Sequence, residues 1–396
     1  MGMKVVLSTP GRFHTFDLAR QLHQRGALGV VFSGYPRFKL KREQLPKDKI
    51  RTWPWLQTPY MAIASRMSGG IRREWEWIGQ RALDGHVARQ LPQCDVLVAL
   101  SGGGLKSGIK AQSRGGLYVC DRGSAHIRVQ DQLMRAEAER WGLPFEGIDP
   151  RVMDMEEQEY AQADAITVPS TFSMRSFIAR GVDAQRVHLL PYGVDVSRFQ
   201  PDGEPEPGYF DILYAGSMTL NKGVPYLLQA FRALSHPRKR LWMAGSPDED
   251  FMARMKAINL WPDEVNLLGH LPQDQLARRM SRSHVLVLPS MQDGFGMVLS
   301  QAMACGCVPV ASSHTGAWDA FEDERSGLVF PAGDADALTD QIQRLADRPE
   351  WRLALREEAL QAVRRVGGWQ RYGDQAFSLY QSLMTSSHAR ALHRGQ

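Results

Sequence analysis

Twelve short, almost wholly apolar runs are spread along this chain. In the first half they are MKVVLS, GVVFS, DVLVAL, GLYVC, AITVPS and VHLLPYG; in the second, DILYAG, LWMAG, VNLLG, HVLVLPS, VPVAS and GLVF. Many of the intervening stretches have 3.6-residue periodicity, as in Val224, Leu227, Leu228, Phe231 and Leu234. A strand that is apolar on both faces has to be covered on both faces. Alternation with helices therefore predicts an α/β protein with parallel sheets. Two sets of about six strands predict two doubly wound, Rossmann-like domains, and 396 residues suit two cores better than one. The Pro- and Gly-rich segment PDGEPEPGYF, residues 201–210, reads as the linker. The expected domains are 1–200 and 201–368, with a last helix from Trp369 to about Met384 packing back on the first domain and a polar tail that frays.

Composition narrows the class. Hydrophobic residues at 43% and charged residues at 23% exclude wholesale disorder. No window reaches the ~18 apolar residues of a membrane span. The opening MGMKVVLSTPGRF reads as a strand rather than a signal peptide. Four cysteines without a CxxC pair read as reduced thiols in a cytoplasmic enzyme. Cys305-Gly-Cys307 fits no zinc spacing. Asp334 in GDADAL reads as a helix cap rather than a metal ligand, and no cofactor is expected.

Two facing open sheets make a cleft outside the carboxyl ends of their strands, where ligands bind. The most informative stretch for that cleft is PSMQDGFGMVLSQAMACG, residues 289–306. A strand runs through Gly294, Phe295 and Gly296 into a helix. Backbone amides at Gly296, Met297 and Val298, with the helix dipole behind them, suit a phosphate. Asp293 can accept from a hydroxyl, and Gln301 lies two turns on.

This string is similar to the signature of retaining glycosyltransferases of family 4, which have the GT-B fold. Three further stretches resemble that family: DILYAGSMTLNKGVPYLLQAF, VHLLPYGVDVSRF with Tyr192 where the family has asparagine, and ASSHTGAWDAFEDERSGLVFPAGDADAL. The resemblance covers roughly residues 160–345. It implies a metal-independent retaining glycosyltransferase using a UDP- or GDP-linked hexose-type sugar. The acceptor would be a glycan or lipid-linked molecule, in cell-surface polysaccharide or glycolipid synthesis. Two departures concern the site: Asp293 and Gln301 stand where the family has glutamates, at the donor sugar and the ribose. Ser217 stands where many relatives have arginine, leaving Lys222 as the main diphosphate cation. A non-catalytic nucleotide-sugar-binding module, or another GT-B enzyme such as an epimerase, remains the alternative.

On the first domain, Gly11 in the first strand-to-helix turn allows close approach to the diphosphate. Arg12 and His14 could face donor or acceptor, as could Arg122. Asp121 occupies the place where relatives often carry histidine, with His126 nearby, so both are candidates at the reacting centre. The base pocket is expected in VNLLGHLP, around Gly269, His270 and Leu271.

Charge is uneven. Residues 1–100 hold 16 Lys/Arg against 7 Asp/Glu, whereas residues 201–396 hold 20 against 23. The excess concentrates in residues 36–80, which also carry Trp53, Trp55, Trp75 and Trp77. Cations beside amphipathic aromatics suit peripheral docking on an anionic membrane, at the inner face of the cytoplasmic membrane. An anionic glycan or a solvated basic loop fits the same residues, and no nucleic-acid motif is present.

Overall fold

The computed structural model describes residues 2–63 and 69–394. Residues 64–68 of the basic segment and the last two residues of the tail lie outside it. Seven parallel strands form the first sheet: β1 (Val5–Thr9), β2 (Leu28–Ser33), β3 (Ile50–Thr52), β4 (Val96–Leu100), β5 (Leu117–Asp121), β6 (Ala165–Val168) and β7 (Val187–Leu189). Six form the second: β8 (Phe210–Ala215), β9 (Lys239–Ala244), β10 (Val265–Gly269), β11 (Val285–Leu288), β12 (Val308–Ser312) and β13 (Leu328–Phe330).

The orders are β3-β2-β1-β4-β5-β6-β7 and β10-β9-β8-β11-β12-β13. Each sheet therefore reverses direction once, between β1 and β4 and between β8 and β11. At such a switch point the flanking loops splay apart and leave a crevice at the carboxyl edge. The central strands are buried on both faces, Val5–Leu7 and Val285–Val287 completely so, while the edge strands β3, β7 and β10 are partly exposed.

β3 has no counterpart among the twelve apolar runs. It is three residues long and lies inside the basic segment. It is an edge strand paired to β2 (Val31–Ile50, Ser33–Thr52). Its neighbours hold it by side chain to backbone: Arg37 donates to the Ile50 carbonyl, Lys49 to Leu28, and Arg51 to Gln90. Part of the basic excess is thus spent satisfying main-chain acceptors around that edge.

The last helix starts at Trp369 and continues to Arg394, past Met384, so most of the tail expected to fray is helical. It packs on the first domain. Tyr372, Ala376 and Tyr380 are buried in one cluster with Phe16, Leu18, Ala19 and Leu22 of helix Thr15–Gln24. The chain thus crosses between domains twice, at Pro191–Val194 and at Gly367–Trp369; the first crossing precedes the 201–210 stretch read as the linker, because Val194 and Phe199 already pack in the core of the second domain. The crossings touch: a side chain on Gly193 would meet the Gly368–Trp369 backbone at 2.5 Å.

Candidate active site

The two switch points face each other across a cavity of about 780 Å³. The first domain contributes Arg12, His14 and Ser124, and the second contributes Met297 and Gln301. Arg198 and Trp369 close it from the two crossings.

His14 is fixed from three sides. Its Nε2 lies 2.6 Å from Asp121 Oδ2, and Thr167 Oγ1 donates to the other carboxylate oxygen at 2.9 Å. The Tyr192 hydroxyl is 3.3 Å from the same Nε2, and the two rings stack with centroids 4.3 Å apart. Tyr192 also meets Phe295 edge-on at 5.5 Å. Asp121 does not line the cavity; it stands behind His14. The Asp121 candidate at the reacting centre is thereby corrected: its carboxylate meets His14 and not the cavity.

His126 is corrected further. It is 3% exposed and caps helix Ile127–Arg140 by accepting from the Arg128 amide. Its ring packs on Tyr160 and Phe177. Burial pushes its imidazole down to about 4. It does not line the cavity. Arg122 does line it, but its guanidinium is spent inward. It pairs with Glu156 at 2.8 Å and donates to Gln130, Ser101 and the Ala125 carbonyl.

Glu159 sits behind this layer, accepting from the Gly102 and Gly104 amides at 2.6 and 2.7 Å. Burial, against those two hydrogen bonds, pushes its carboxyl up to about 8. The glycine-rich turn Ser101–Gly108 thus closes on a carboxylate of its own.

The second domain brings Lys222 and Asp293 together. The 71-residue separation closes to 2.6 Å between Nζ and Oδ2. A side chain on Gly223, at φ +65°, would collide with the Pro289 carbonyl at 1.8 Å, so only glycine lets the Lys222 turn lie against the signature loop. Asp293 Oδ1 takes the Gly296 amide at 3.0 Å. Of the three amides expected to hold phosphate, those of Met297 and Val298, at the start of helix Met297–Ala304, are the ones left.

Phe295 is 2% exposed and belongs to the core of the first domain. Gly294 lies in a domain contact: a Cβ there would stand 1.8 Å from the Gly123 carbonyl. Neither is open to a ligand. Gln292 also donates to Ser124, and Ser173 donates to the Gly294 carbonyl at 3.4 Å.

Lys222 and Asp293 are not among the residues lining the cavity, and nor are Gly11, Ser217, Gly269, His270 and Leu271. Gly11 is buried against Thr9 and Ser33. Ser217 is exposed, its carbonyl accepting from Tyr214 at 2.6 Å. Gly269 to Leu271 stand at the end of β10, the edge strand of the second sheet.

Other cavity residues escaped the sequence reading. Glu43, buried at 2%, pairs with Arg12 and with Arg20 at 2.7 Å. Asp17 joins them through Arg20, and its carboxyl is raised, first by burial. Arg198 reaches Gln273 Oε1 at 2.9 Å. Glu43 comes from the basic segment, where an isolated acid among cations carries no signal of its own.

Two doubly wound domains facing a cleft, with a strand–glycine–helix turn opposing the first domain, make up the GT-B fold. Residues 196–362 match the family described as Glycosyl transferases group 1. It is 28% identical over 310 residues to a D-inositol 3-phosphate glycosyltransferase of Saccharomonospora viridis, covering 68% of this chain and 71% of the relative. It is 24% identical over 235 residues to the phosphatidylinositol N-acetylglucosaminyltransferase gpi3 subunit of Schizosaccharomyces pombe, covering 58% and 51%. In fold it resembles a sucrose-phosphate synthase from Thermosynechococcus elongatus, with a TM-score of 0.71, 21% identity and coverage of 97% and 100%. It also resembles Anabaena HepE solved with UDP and glucose, with a TM-score of 0.69, 14% identity and coverage of 96% and 100%.

Proposed function

We propose that this protein is a retaining glycosyltransferase. It moves a hexose-type sugar from a UDP- or GDP-linked donor to a glycan or lipid-linked acceptor in cell-surface polysaccharide or glycolipid synthesis. The observation that carries the reading is the Lys222–Asp293 pair at the glycine turn leading into helix Met297–Ala304. A cation, two free helix-start amides and a hydroxyl acceptor meet there. That is what a departing nucleoside diphosphate and a sugar ring need.

In the structure Lys222 and Asp293 neutralise each other. A donor phosphate would draw Lys222 away, freeing Asp293 for the sugar hydroxyls. The Gly294–Gly123 and Gln292–Ser124 contacts join the two domains beside the pair. Opening and closing about the two crossings would make and break them during the cycle. Gln301, on the cavity wall, can bond a ribose through its amide. No metal is invoked, because Lys222 and the helix start supply the positive field. Front-side displacement fits a site in which no side chain is placed as a nucleophile.

His14, held by Asp121, faces the cavity from the first domain, where the acceptor enters. Trp55 is 74% exposed and Phe38, which Lys39 and Lys41 follow in sequence, 62%. These residues support peripheral docking of a cytoplasmic enzyme on an anionic membrane. No helix among the described residues is long and apolar enough to cross one. Trp53, Trp75 and Trp77 are half-buried and packed, so the membrane reading rests on fewer aromatics than their number suggests.

A panel of UDP- and GDP-sugars, scored for nucleoside diphosphate release, tests the function. The neutralised Lys222, with Gln301 and Ser217, favours a binding-module reading if donors bind and none is ever turned over.

A further inference from the structure

A second cavity, of about 200 Å³, lies in the first domain beside the cleft. Pro10, from the end of β1, forms part of its wall; two residues on, Arg12 lines the large cavity. The β1 turn is thus a partition one loop thick between the two. Trp53, Tyr60 and Trp75 supply the aromatic surface. All three come from the basic segment, so that segment is folded around a hollow.

The aromatic walls are held in place. Trp75 donates its indole N–H to the Leu56 carbonyl at 3.0 Å, and Tyr60 donates to Glu76. Trp53 is stacked on His86, with centroids 5.6 Å apart. Polar groups sit among them. Glu76, Gln57 and Gln80 line the cavity.

We propose that this cavity is an acceptor subsite that takes one pyranose ring of a glycan, adjacent to the ring that receives the transferred sugar. The proposal rests on the glycosyltransferase reading and names its acceptor class. Three features select a sugar. The volume is below the 300–1,000 Å³ typical of drug-sized ligands and suits a single ring. Fixed indole and phenol faces suit the C–H face of a pyranose. Glu76 and the Gln80 amide suit its hydroxyls, and they penalise an alkyl chain, which would desolvate them without replacing their hydrogen bonds. Position agrees, because a ring here is separated from the large cavity only by the β1 turn.

Gly79 provides a clean test. It lines the cavity from within helix Gly69–Gln90, and a Cβ there meets no atom within 4 Å. Gly79→Leu therefore fills the hollow while improving helix propensity. Saturation-transfer NMR would be run on the full chain with methyl glucopyranoside, methyl galactopyranoside, methyl mannopyranoside, n-octanol and uridine as separate probes. The expected result is transfer to at least one methyl glycoside, abolished in Gly79→Leu and weakened about tenfold in Trp75→Leu but not in Trp75→Phe. In turnover, Gly79→Leu raises the acceptor KM about tenfold and leaves the donor KM where it was.

Binding of octanol or uridine in preference to every glycoside overturns the proposal, as does glycoside binding that Gly79→Leu leaves intact. If the wild-type chain releases no nucleoside diphosphate from any donor, the transferase reading falls. The NMR result still decides the subsite.

Discussion

Lys222→Ala separates a catalytic cation from a structural one. Lys222 Nζ lies 2.6 Å from Asp293 Oδ2, with the side chains 26% and 19% exposed. A pair at that exposure contributes about 1 kcal/mol to folding, so the variant should fold and melt within a few degrees of wild type. Its effect on turnover should be far larger. Removing one preorganised charge-stabilising donor costs ~2.7–4 kcal/mol, about 10²–10³ in kcat. Lys222→Arg keeps the charge and should retain more activity than Lys222→Ala. The two share the task of holding one bound donor, Lys222 at its diphosphate and Asp293 at its sugar, so Asp293→Asn in the Lys222→Ala background should cost less than in wild type. The expected coupling is about 1–3 kcal/mol. The assay is continuous nucleoside diphosphate release at saturating donor, with a thermal melt of each variant. Full kcat in a folded Lys222→Ala protein would refute the leaving-group assignment. Strict additivity of the two substitutions would refute the shared task.

Other consequences follow from particular contacts. Asp121→Asn weakens the hold on His14 and should lower kcat about tenfold or more with little change in donor affinity, read from initial rates at varied donor. Gly294→Ala puts a methyl 1.8 Å from the Gly123 carbonyl. It should force the domains apart, raising the radius of gyration in small-angle scattering and lowering stability by about 1–3 kcal/mol, seen as a lower melting temperature. His126→Ala removes a cap and a packed ring, so denaturant unfolding should show a loss of about 1–3 kcal/mol. His126 and His284 are both held down to about 4 by burial, from 6.5 when unfolded. The unfolded chain takes up those protons first, so their contribution is intact above pH 6.5 and is lost as pH falls toward 4. Urea midpoints should therefore drop across that window, and by less in His126→Asn.

Strand alternation reached the architecture because doubly buried strands have no other reading. It missed β3, whose three residues, Ile50–Thr52, are too short for a pattern and gain their place from β2 and from Arg37, Lys49 and Arg51. The signature loop was legible as a strand–glycine–helix turn, and Lys222 beside it as a cation at a strand-to-helix turn. Their mutual neutralisation was not, since 71 residues separate the partners, and the packing of Gly223 on Pro289 and the Met291 amide on the Asn221 carbonyl join them. On the first domain the residue types were legible and the roles were not. Nothing local distinguishes His14, which faces the cavity, from His126, which caps a helix. The difference lies in Asp121, 107 residues from His14, and in Tyr192 from the crossing. The tryptophans of the basic segment read as a surface feature because amphipathic residues do not declare which end is buried. Two of the four, Trp53 and Trp75, line the small cavity.

The central claim is transfer of a sugar from a nucleoside diphosphate with its anomeric configuration kept. The most direct measurement follows the anomeric proton by NMR while wild-type protein converts its best donor from the UDP- and GDP-sugar panel. The account predicts a glycoside whose anomeric configuration matches that of the donor, formed together with one equivalent of nucleoside diphosphate and unaffected by a chelator. An inverted product would contradict the mechanism. A donor that binds and is never consumed would contradict the claim that the protein is this enzyme.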